Sequence, residues 1–149
     1  MIDHVWTVLC SQSITDRQSN NLTLFNVIEQ INVLGPVPGP IPIELELVTL
    51  WVRSEPDRPA RGRGRVQVIA PGGTQLAVNE YEIDLTRFER IRNQGRIQGI
   101  PFRGPGRYLF IVSLQQEDEQ NWQDVARVPV QIVAQTPVAP NAQQAPVAN

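Results

Sequence analysis

Arg58, Arg61, Arg63 and Arg65 put four guanidinium groups within eight positions, interleaved with Gly62 and Gly64. Arg61, Arg63 and Arg65 share parity, so on an extended chain they form a basic stripe along one face. A stripe of this kind is suited to phosphates, and glycine lets the backbone approach a polyanion closely. The opposing features are Glu55 and Asp57 nearby and a formal charge of −2 for the whole chain. A second use for the stripe is cross-strand pairing with Glu80, Glu82 and Asp84. A hairpin turning at Pro71-Gly72-Gly73 brings the two stretches opposite one another, with charges matched in place and sign. The spacing therefore predicts a structural stripe, with nucleic-acid contact as the alternative.

Other residue types offer little chemistry. Cys10 and His4 are each the only residue of their kind, and six positions of extended strand would hold them about 20 Å apart. Neither a thiol–imidazole pair nor a zinc set can be assembled from them. Gly62-Arg63-Gly64 and Gly72-Gly73 lack the Gly-Lys-Ser/Thr of a phosphate loop. Asp16, Asp57, Asp84 and Asp118 fall in or near loops but form no Asp-x-Asp calcium cluster. Glu44/Glu46 and Glu80/Glu82 have the period of two that a solvated strand face requires, rather than carboxyls set across a cleft. Trp6 and Trp51 read as core. Trp122 follows an acidic loop, and if exposed it would offer a stacking face for a sugar together with Tyr81 or Tyr108. No catalytic residue, metal ligand or cofactor-binding residue is assigned, and the residues put forward for interaction are Arg61, Arg63, Arg65 and Trp122.

The 149 residues give room for one domain and a tail, and a domain of this size buries roughly 68–70% of its unfolded surface. All thirteen basic residues are arginine. Met1-Ile2-Asp3-His4 has no basic region ahead of its apolar run, and no apolar stretch approaches the ~20 residues of a membrane helix. The expectation is a cytoplasmic protein with no membrane association.

The elements read as all-β. Residues 4–10 are rich in β-branched and aromatic types; 11–21 are polar and turn-forming. Leu22 to Val33 reads as one strand, although Leu24, Val27, Ile28 and Ile31 also have helical spacing. Residues 35–42 hold four prolines and should carry the chain from one sheet to the other in extended form; a PxxP ligand is the sharper alternative. Residues 43–52 switch parity, the mark of a bulge or of a change in burial. Strands follow at 63–70 and 75–85. Residues 86–93 read as a charged connector, and 96–102, 108–114 and 122–133 as further strands. About eight short strands with turn chemistry between them predict an antiparallel β-sandwich over residues 1–134. Residues 135–149, without charge or large apolar side chains, read as a disordered tail.

Asp16 and the run Ser19-Asn20-Asn21-Leu22-Thr23-Leu24-Phe25-Asn26-Val27-Ile28-Glu29 resemble the opening of a family of uncharacterised bacterial β-sandwich proteins. Pro105-Gly106-Arg107-Tyr108, entering an apolar strand, is similar to a late strand of that family and of Ig-like or C2-like sandwiches. The resemblance implies fold, and no activity comes with it. The sequence thus points to a non-catalytic binding or structural module acting through protein contacts, with an unidentified protein partner and weak self-association through edge strands. A module for carbohydrate or another polymer is the alternative.

Overall fold

The computed structural model describes residues 1–136. Nine strands are present among them: β1 (Ile2–Thr15), β2 (Leu22–Val27), β3 (Gln30–Leu34), β4 (Ile41–Arg53), β5 (Arg61–Ile69), β6 (Gln75–Asp84), β7 (Arg90–Ile100), β8 (Gly106–Gln116) and β9 (Gln123–Gln135). They form a four-stranded sheet in the order β2-β1-β4-β7 and a five-stranded sheet in the order β3-β9-β8-β5-β6. No described residue is helical.

The expected count of eight is corrected to nine, because residues 22–34 form two strands in different sheets. Asn26 takes a φ of 48°, and the chain turns there from one layer to the other. Ile28 N–H still donates to Leu9 of β1 at 2.8 Å, while the Glu29 carbonyl accepts from Gln131 of β9 at 3.0 Å. Hydrogen bonding thus passes between sheets within two residues. The wholly antiparallel arrangement is also corrected: β3 runs parallel to β9, from Gln30 opposite Gln131 to Leu34 opposite Gln135. β9 consequently extends to Gln135, one residue past the expected domain end. The tail expected from residue 135 lies outside the described residues from 137 onward.

A third correction concerns residues 86–93. From Arg90 onward they belong to β7, paired with β4 from Val52 opposite Arg90 to Ile41 opposite Ile100. The thirteen-residue β4 supplies a ladder long enough to hold the charged segment extended. Residues 35–40 do cross from the five-stranded to the four-stranded sheet. The register of β4 against β7 slips between Ile41 and Glu44, where Pro42 has no N–H to donate.

The core lies between the sheets. Leu9, Leu45, Leu47 and Trp51 of one layer meet Ile83, Tyr108, Phe110, Val112, Val130 and Ile132 of the other, all of them buried. The parity switch in β4 is a change of burial: its ladder with β7 is unbroken from Glu44 to Val52, yet outward-facing Val48 is buried as well. The far end of the β1–β2 hairpin curls over that outer face. Ser13 N–H donates to Glu46 Oε2 at 3.0 Å, Gln94 Nε2 donates to Ser13 Oγ at 2.9 Å, and Arg92 Nη2 donates to the Asn20 carbonyl at 2.7 Å.

Candidate functional site: two arginine rows and a buried polar cluster

The first row is the sequence-predicted one. Gly72 and Gly73 have φ values of 90° and 95°, which glycine adopts freely, and the turn closes with Ala70 N–H donating to the Thr74 carbonyl at 2.8 Å. The resulting register sets Arg61 opposite Asp84, Arg63 opposite Glu82 and Arg65 opposite Glu80. Arg61 Nε lies 3.7 Å from Asp84 Oδ2, and Arg63 pairs diagonally with Glu80. Thr86 hydrogen-bonds the Asp84 carboxylate through its hydroxyl (2.6 Å) and its backbone N–H (2.9 Å). These contacts, with Arg61 adding to them, hold the Asp84 carboxyl below the usual carboxylate range.

Trp122 completes this row. Its ring lies 4.4 Å from the Arg65 guanidinium carbon and 5.7 Å from that of Arg63, within cation–π range. The tryptophan is half-buried, and the arginines occupy it. Tyr81 and Tyr108 point into the core on the other side of the sheet, with Tyr108 Oη accepting from Arg103 N–H at 2.8 Å. Among the described residues no aromatic platform is assembled around Trp122. The glycines between the arginines have a packing cause. A Cβ on Gly64 would overlap the Tyr81 ring, and one on Gly62 would lie 2.7 Å from the Gln115 carbonyl oxygen.

The second row was not singled out in the sequence. Arg90, Arg92 and Arg96 project from the outer face of β7, one of the two edges of the four-stranded sheet. Among the described residues none of the three forms an ion pair. Arg90 and Arg92 stand opposite Val52 and Leu50, so no counter-charge faces them; Arg96 stands opposite Glu46, whose carboxylate is turned to Ser13. Beside Arg90 and Arg92 is a hollow of about 510 Å³ floored by Trp6, Leu22 and Leu50. Trp6, expected in the core, is instead half-buried on this outer face, whereas Trp51 is fully buried. The signal that could have found the row is the alternation of Arg90 and Arg92 with Ile91 and Asn93, and of Arg96 with Ile97. The corner joining β6 to β7 is pinned by Arg53, which donates to the carbonyls of Leu85 (2.6 Å) and Thr86 (2.9 Å).

Between the layers lies a polar cluster. His4 Nε2 and Thr7 Oγ1 are 2.7 Å apart, Thr7 Oγ1 and Thr49 Oγ1 3.1 Å, and the His4 ring meets Trp51 edge-on at 5.5 Å. Trp51 Nε1 and Tyr81 Oη are buried without a hydrogen-bond partner among the described residues. Burial lowers the His4 pKa and pushes that of Tyr81 up to about 12, which favours the neutral form of each side chain. Cys10 is buried as well, its thiol directed at the Glu46 carbonyl at 3.6 Å. Burial and the Glu46 charge raise its pKa, which disfavours the reactive thiolate. His4 therefore meets hydroxyls and an indole rather than the thiol.

No protein-family profile and no curated protein matches this chain.

Proposed function

We propose that the chain is a non-catalytic binding module of the Ig-like or C2-like kind, and that its contact surface is the β7 edge. The supporting observation is the row Arg90, Arg92 and Arg96, none of which forms an ion pair among the described residues, on a strand with no partner along its outer edge there. An edge strand takes up an extended segment through main-chain hydrogen bonds, and the arginines would select an acidic one. The row on β5 supports this less well, because carboxylates and Trp122 already engage it.

Titration with a synthetic acidic strand peptide (alternating glutamate and valine) tests the proposal. Binding should weaken as salt rises. At about 0.2–1 kcal/mol per exposed pair, the triple change Arg90→Gln, Arg92→Gln, Arg96→Gln should weaken it by between about 3-fold and about 150-fold. The triple change at Arg61, Arg63 and Arg65 should leave it unaltered. Salt-sensitive binding to an oligonucleotide, lost with the β5 changes and not with the β7 changes, would overturn the proposal.

A further inference from the structure

Each sheet has two edge strands; β7 is one edge of the four-stranded sheet and β6 one edge of the five-stranded sheet, and these two flank the same side of the molecule. Between them the layers stand open in a cleft of about 420 Å³, lined by Val66, Val68, Ala77, Gly95 and Ile97. Ala77, which faces inward, is exposed there, and outward-facing Val78 on the same edge is 45% exposed. β6 has ten residues and β7 eleven, and the two run in opposite directions from the corner at 85–89. Their outer faces carry opposite charge: Glu80, Glu82 and Asp84 on one, Arg90, Arg92 and Arg96 on the other.

Charge on an edge strand ordinarily keeps like edges apart. Here a two-fold axis parallel to the strands removes that repulsion, because it sets β6 of each copy against β7 of the other, antiparallel, with the outer faces continuous. With the corners level, Arg90 falls opposite Asp84, Arg92 opposite Glu82, and Arg96 diagonal to Glu80. Glu82 has no ion pair within its own chain among the described residues. The contact is self-complementary, as a two-fold interface must be, and it closes both apolar clefts. We infer that the acidic segment taken by β7 is β6 of a second copy of this chain. The inference rests on the β7 reading above and names its partner.

Charge reversal tests it. One variant carries Arg90→Glu and Arg92→Glu, the other Glu82→Arg and Asp84→Arg, and each is first checked for an intact melting transition. Light scattering and sedimentation equilibrium of the parent should show a dimer that weakens with salt. Each variant alone should dissociate at least about a hundredfold more readily, since two like-charge contacts replace two attractive ones in both halves of the interface. An equimolar mixture should recover the dimer, because both contacts then join opposite charges. Arg96→Glu alone gives a milder weakening if the double variants lose their fold. A parent that stays monomeric yet binds the acidic peptide sinks the second-copy inference and leaves the β7 reading standing. Absence of both sinks both. A dimer that neither variant disturbs is built on another surface and overturns the inference.

Discussion

Gly64 has no room for a methyl group, because the Tyr81 ring packs directly on its backbone. Overpacking of this kind costs about 1–3 kcal/mol, so Gly64→Ala should lower unfolding free energy by that amount in denaturant titration. Adding Tyr81→Leu should make the second change cost much less than it does alone. His4 gives a second expectation at this scale. Its folded pKa is lowered by burial, so as pH falls through the ordinary value of about 6.5 the unfolded chain takes up a proton more readily than the native one. Stability from this residue is complete above that pH and declines below it. Melting temperatures measured from pH 7 to 5 should fall for the parent and fall less for His4→Gln. Asp84 and Asp16, whose folded pKa values are also lowered by hydrogen bonds, contribute stability that is lost as pH falls through the ordinary carboxylate value toward the lowered folded one.

The β5–β6 hairpin was legible in the sequence because its cause is local. Pro71-Gly72-Gly73 fixes the turn, and the turn fixes the register that pairs Arg61 with Asp84. Trp122 was not legible as a partner of this hairpin, since the side chain reaches the arginines only after β8 and β9 are in place. Exposed ion pairs contribute little, whereas a half-buried cation–π contact is worth about 0.5–2 kcal/mol. Arg61→Gln, which removes an ion pair alone, should therefore cost under about 1 kcal/mol, and Trp122→Ala distinctly more, in the same denaturant titration. β7 was misplaced because its extended form depends on β4, some forty positions earlier in the chain, rather than on its own residues. The division of 22–34 was hidden for a similar reason. Leu22, Leu24, Ile31 and Val33 are all apolar, and only the neighbours each finds, β1 or β9, separate them.

At the scale of the molecule, the all-β class, the two layers and the proline-rich crossing were readable from strand periodicity and turn residues. Strand order was not, because it depends on which edges meet across the chain. That order leaves β6 and β7 as neighbouring free edges of opposite charge, the feature on which the proposed interface rests. The parallel pairing of β3 with β9 has a different consequence. It joins Gln30 to Gln131, about a hundred positions away, and among the described residues β9 is the only neighbour β3 has in its sheet. Closing so distant a contact is slow, because loop entropy is lost before any ladder bond compensates. During synthesis, the residues of β3 leave the ribosome early and must wait, unpaired, until residue 135 has followed them. For that interval the strand bearing Ile31, Val33 and Leu34 lacks the ladder that covers it in the folded chain.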